Sequence, residues 1–160
     1  MVRVSGSGKE LKRICWLIVA SLLGACTPAP EFTAATGQPV SLHHFVGKPL
    51  LVNYFAPWCA TCLREMPYLN GLAAEGQIAV VAINYDPTTP AELGQLATRY
   101  EIKVPLLIAN AEASLPFPRP GALPTSYLLD SEGKLKQTLV GELDPSKIEM
   151  LKSAASSLSH

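Results

Sequence analysis

Cys59 and Cys62 stand two residues apart in the run Ala56-Pro57-Trp58-Cys59-Ala60-Thr61-Cys62, close enough to open and close a disulfide reversibly. An apolar, strand-like stretch, Leu50 to Phe55, leads into the pair, and a segment of helical character, Leu63 to Ala74, leads out. The first cysteine therefore falls at a strand-to-helix turn, where unpaired N–H groups and the helix dipole favour a thiolate. The thiolate is the reactive form of cysteine. From position alone, Cys59 is the exposed nucleophile that forms a mixed disulfide, and Cys62, one helical turn on and more buried, resolves it. A structural staple is the competing reading. It is the weaker one, because the stabilisation a disulfide gives grows with the loop it closes, and this loop is very short.

The N-terminus carries Arg3, Lys9, Lys12 and Arg13 before an apolar run from Ile14 to Leu23, then Leu23-Gly24-Ala25-Cys26. Positive region, short apolar region and small residues come in the order of a secretory signal. The run of about ten residues is well short of the roughly 20 that a spanning helix needs. Small residues directly before a cysteine resemble the bacterial lipobox, which implies cleavage before Cys26 and a diacylglycerol on its sulfur. The competing reading is an uncleaved anchor with Cys26 as an incidental thiol. The expected organisation is a signal peptide over 1–25, a tether over 26–39 and one domain over 40–160. A chain of 160 residues supports one domain with a proper core.

With Cys15 discarded and Cys26 acylated, Cys59 and Cys62 are the only free pair, in a compartment that permits disulfides. Structural zinc takes four ligands, and no second cysteine pair remains. His43 and His44 are adjacent and point to different sides of an extended segment, while His160 is terminal. No metal and no cofactor is expected. A formal net charge of zero leaves no electrostatic footprint for nucleic acid.

The elements that must hold the pair can be read along the chain. Thr27 to Gly37 is polar and proline-containing, as suits a tether, and Val40 to Leu42 reads as a short edge strand. Leu50–Phe55 and Ile78–Asn84, joined by the helical segment, form a βαβ unit with buried parallel strands and a right-handed crossover. Thr89-Pro90-Ala91-Glu92 reads as a capping box with proline at the first helical position. Leu93, Leu96, Ala97 and Tyr100 then recur at helical spacing. A further strand is expected over Pro105–Ala109, and a hairpin over Ser126–Asp130 and Leu135–Val140. Asp144-Pro145 starts a last helix whose Ile148, Leu151, Ala155 and Leu158 form a core-facing stripe. In Glu112–Gly121, prolines at alternate positions forbid regular helix; the segment reads as a groove rim, with Phe117 and Arg119 as contacts, or as a stiff connector.

This order of elements, together with Leu51–Cys62, Pro67 in the following helix and Leu123-Pro124-Thr125 before a strand, resembles the thioredoxin-like family. The leader, the approach His44–Pro49 and the hairpin with Gly133 look like its membrane-tethered ResA/TlpA branch. The resemblance covers about Val40 to Leu158. It implies an α/β thioredoxin-like fold, a mixed central sheet with helices on both faces. It implies a cis bond at Pro124 that leaves the Leu123 backbone free to pair with substrate. Trp58 would cover the sulfurs, its alternative being a packed core tryptophan.

Asn53 departs from thioredoxin proper, which has a buried acid there, and an amide cannot take the Cys62 proton. Asp86 is the first candidate acceptor and Glu65 the second. The implied activity is that of an exported thiol-disulfide oxidoreductase, most simply a reductant, in the bacterial cell envelope. Its implied partners are exported protein disulfides, apocytochrome c among them, a membrane electron-donor thiol protein, and the membrane itself through Cys26. Two alternatives stay open. A peroxiredoxin-like peroxide reductase needs a peroxidatic cysteine in a threonine- and proline-bearing loop, whereas here both sulfurs share one exchange motif. A copper-binding assembly protein has a wider cysteine spacing and a distant histidine.

Overall fold

Residues 29–158 are described by the computed structural model; the leader, Cys15, Cys26 and His160 lie outside them. The strands are β1 (Phe32–Ala34), β2 (Pro39–Val40), β3 (Leu50–Phe55), β4 (Ala79–Asn84), β5 (Leu106–Ala109), β6 (Thr125–Leu129) and β7 (Leu135–Val140). The helices are α1 (Ala60–Glu75), α2 (Pro90–Arg99) and α3 (Pro145–Leu158), with a 3-10 turn at Leu42–Phe45. All seven strands form one mixed sheet in the order β2-β1-β5-β4-β3-β6-β7. β3 pairs in parallel with β4, and β4 with β5; the outer pairs are antiparallel.

All six residues of β3 are buried, as a central strand covered on both faces requires. Alternation divides them. Leu51 and Phe55 join Met66, Leu69 and Leu72 of α1, Leu93 of α2 and Ile148 and Leu151 of α3 in one cluster. Leu50, Val52 and Tyr54 join Val81, Ile83, Tyr127 and Phe117 in the other, to which no α-helix contributes. The α/β thioredoxin-like class therefore stands, but the helices expected on both faces lie on one. The cause is strand order: β3-α1-β4 and β4-α2-β5 step across the sheet in the same direction, so two right-handed crossovers place both helices on the same side. The opposite face is closed by the 3-10 turn, through Leu42 and Phe45, and by the proline-rich segment, through Leu115 and Phe117.

No helix forms between β5 and β6, as the prolines there require. Phe117, however, is not a rim contact. It is buried, stacked on Tyr127 with ring centroids 4.7 Å apart and edge-on to Tyr54. A second correction concerns the expected tether, because Phe32–Ala34 is a strand paired with β5 and Phe32 is wholly buried. The folded domain thus begins before residue 40. The edge strand read over Val40–Leu42 is Pro39–Val40, and Ser41 then caps the 3-10 turn. Among the described residues, no helix is long and apolar enough to cross a membrane.

Candidate active site

Cys59 is the N-cap of α1, and its sulfur accepts a hydrogen bond from the Cys62 backbone N–H at 3.2 Å. The Thr61 hydroxyl lies 3.3 Å from the same sulfur. A cap position puts the sulfur where the helix leaves its first amides unpaired, which stabilises negative charge on it. Cys59 and Cys62 are joined as a disulfide, Cα atoms 5.3 Å apart. Cys62 is wholly buried, whereas Cys59 keeps 7% of its surface. α1 continues through Pro67 to Gly76, which ends it with φ +75°, a left-handed conformation that glycine adopts without strain.

The residues around the pair divide between surface and interior. Trp58 is 67% exposed, so it is not core, and its indole N–H donates to Asp86 Oδ2 at 2.6 Å. Asp86 follows β4, held beside β3 by the Tyr85 N–H donating to the Phe55 carbonyl. Asp86 therefore anchors the tryptophan and makes no hydrogen bond to either sulfur. The Leu123–Pro124 bond is cis. The Pro124 carbonyl accepts from the Gly141 N–H, while the Leu123 backbone has no hydrogen-bond partner among the described residues. Arg119 donates to the Tyr85 carbonyl, and its guanidinium lies 4.1 Å from the centre of the Tyr85 ring.

Beneath the pair lies a buried polar cluster. Glu65, one helical turn after Cys62, is wholly buried. Its Oε1 accepts from Asn53 Nδ2 at 2.7 Å, and its Oε2 from the Leu143 N–H at 2.6 Å. Asn53 Nδ2 also donates to the Ser126 hydroxyl at 2.9 Å, and Asn53 Oδ1 has no partner. Burial pushes the Glu65 carboxyl up to about 7, against the pull of the Leu143 and Asn53 donors. A carboxyl titrating near neutrality can both take and return a proton at working pH. Of the two candidate acceptors, Glu65 sits in the interior one helical turn from Cys62, whereas Asp86 accepts from the exposed Trp58. Ser126 was not read from sequence, although it lies opposite Asn53 in the β3–β6 register, two residues after Pro124. Among the described residues, no group of three or more His, Cys, Asp or Glu side chains could hold a metal ion.

A family model described as Redoxin matches residues 25–156. The chain belongs to the Redoxin family. Among its relatives is a thiol-disulfide oxidoreductase ResA of Bacillus cereus, 31% identical over 126 residues that cover 76% of this chain and 72% of that one. A thiol:disulfide interchange protein of the thioredoxin family from Chlorobium tepidum superposes with a TM-score of 0.65 at 25% identity, over 81% of this chain and 95% of that one. The exposed lipoprotein thioredoxin of Streptococcus pneumoniae shares the fold, with a TM-score of 0.67 at 22% identity, over 79% and 99%. This member of the family is a redox enzyme, a thiol-disulfide oxidoreductase of the ResA type with Cys59 and Cys62 as its CxxC pair.

Proposed function

We propose that the protein works outside the cytoplasm, held to the bacterial envelope by a lipid on Cys26, and reduces disulfides of other exported proteins. The order of charges, apolar run and small residues before Cys26 supports export and lipidation. The shared fold of the pneumococcal lipoprotein thioredoxin agrees with that location. On this reading residues 1–25 are removed and the tether runs from Cys26 only to the start of β1.

The cap position of Cys59 carries the catalytic reading. In the dithiol form, the Cys59 thiolate attacks one sulfur of a substrate disulfide, forming a mixed disulfide and releasing the other sulfur as a thiolate. Glu65 takes the proton from the Cys62 thiol, whose thiolate attacks Cys59 Sγ and releases the second substrate sulfur. Two electrons pass to the substrate, and the Cys59–Cys62 disulfide remains. Leu123, with its free backbone groups, pairs with the extended substrate beside Cys59, and Trp58 supplies a flat apolar contact. A membrane thiol protein recharges the pair by the same steps in reverse. Apocytochrome c is a substrate that fits the ResA-type resemblance.

Trapping tests this reading. Cys62→Ser is expected to hold Cys59 in mixed disulfides with envelope proteins, identifiable by mass spectrometry. An empty trap together with no insulin reduction by the native dithiol would overturn it. Cys26→Ser is expected to abolish palmitate labelling and release the protein from membranes; unchanged labelling would remove the anchor.

A further inference from the structure

The chain enters the folded domain at the same end of the sheet as the exchange site. β1 runs antiparallel to β5, and Phe32 pairs with Ala109. β5, β4 and β3 are parallel, with Leu107 beside Ile83 and Ile83 beside Tyr54. Carried across the sheet, this register sets Phe32 level with Ala56, just before Trp58 and Cys59. The incoming chain is held there. The Asn110 N–H donates to the Glu31 carbonyl at 2.9 Å, and the Asn110 side-chain amide donates to the Pro30 carbonyl at 2.7 Å. The Leu42 N–H donates to the Glu31 carboxylate at 3.1 Å.

From Cys26 to Pro30 the chain can span at most about 14 Å. Three strand spacings, about 14 Å, separate β1 from β3. Cys59 therefore stands no further than about 30 Å from an anchored Cys26. The far end of the sheet holds Glu132, in the turn that follows Leu129, the partner of Leu50. Six-residue strands set that end about 20 Å from the near one. To bring it down to the bilayer, the attached end would have to rise by more than the whole reach of the tether. The near end presents the exposed Trp58, a side chain suited to the headgroup level of a membrane. Its charges are mixed, Glu31, Asp86 and Glu112 with Arg119, so the anchor and not attraction to anionic lipid sets the orientation.

We propose that a lipid on Cys26 holds the exchange end of the domain against the bilayer, so that Cys59 meets the thiols and disulfides of proteins at the membrane surface. This inference rests on the anchored, exchanging reading and gives the anchor a second task, to aim the site as well as to retain it.

Cleavage before Cys26 removes Trp16 and leaves Trp58 as the single tryptophan, a reporter beside Cys59. The test uses the lipidated, full mature protein in phosphatidylcholine vesicles whose headgroups carry dansyl. Trp58 emission is expected to fall about twofold by energy transfer, since the donor lies close to the headgroups. A reporter at the far end, Glu132→Trp combined with Trp58→Phe, is expected to lose much less. Inserting about twenty Gly and Ser residues between Thr27 and Pro28 is expected to remove the difference between the two reporters. That insertion is also expected to slow reduction of a disulfide coupled directly to a headgroup several-fold, through the lower effective concentration, while reduction of hydroxyethyl disulfide is unchanged. Equal loss from the two reporters, or greater loss from the far one, in protein that floats with the vesicles would overturn the orientation and leave anchor and exchange intact. Protein that neither floats nor incorporates palmitate would overturn the anchored reading, and the orientation with it. Failure to reduce hydroxyethyl disulfide would overturn the exchange reading and this inference together.

Discussion

Glu65 is a carboxyl with no access to water, and its two oxygens are each held by one donor. Its pKa of about 7, against an ordinary 4.5, means that the folded protein keeps a proton which the unfolded chain releases. The associated stability is fully present below the unfolded value of 4.5 and is lost as pH rises through about 7. Over that window the loss amounts to roughly 3 kcal/mol at most. Glu65→Gln in the disulfide form, where the cysteines do not titrate, is expected to flatten this slope in urea unfolding between about pH 4 and pH 8. Parallel curves for the two proteins would contradict it. The same substitution is expected to slow resolution by Cys62 about a hundredfold at neutral pH, so that mixed disulfide accumulates in quenched-flow samples. Asp86→Ala should behave differently, because its partner is the exposed Trp58. Tryptophan fluorescence is expected to change while the pH profile of reduction keeps its shape and stability falls by no more than about 1 kcal/mol.

At the scale of elements, local signals were legible and non-local ones were not. β3 and β7 appear with the bounds read from sequence, and α2 starts where Thr89 and Glu92 cap it reciprocally. These features are set by residues within a few positions of one another. Thr89→Ala, which removes the acceptor for the Glu92 N–H, is expected to cost about 1 kcal/mol in urea unfolding. The face on which α2 lies depends instead on where β5 inserts in the sheet, and no local pattern encodes that. β1 was hidden for a related reason. Three residues, Phe32-Thr33-Ala34, are too few to show alternation; of their two partners β2 has only two residues, and β5 lies far along the chain. In the candidate site, the cysteine pair and the Leu123–Pro124 turn were legible by motif. The burial of Glu65 was not, since it depends on which carboxylate the folded chain encloses. Phe117 reads as an exposed contact in a proline-rich loop, and only the missing helix above Tyr54 and Tyr127 draws it inward.

For the whole molecule, the sheet has two edges, and both discourage further pairing. β2 contributes Pro39, which has no N–H to donate, and β7 carries Lys136, paired to Asp130 at 3.1 Å. The two faces are covered unequally. Three helices seal one, whereas a 3-10 turn, a loop and a few aromatic rings cover the other, where a cavity opens under the proline-rich segment. Phe32 is part of that lighter cover: it is fully buried, and β1 shields the open side of β5. Substituting it should therefore act as a core change. Phe32→Ala in the full-length chain is expected to lower stability by about 3–5 kcal/mol, the cost of emptying a buried aromatic site. Glu112→Ala, at an exposed residue, would change stability by about 0.5 kcal/mol or less. Urea unfolding of the two proteins distinguishes these outcomes, and a loss below about 1 kcal/mol would mean that the domain does not depend on β1.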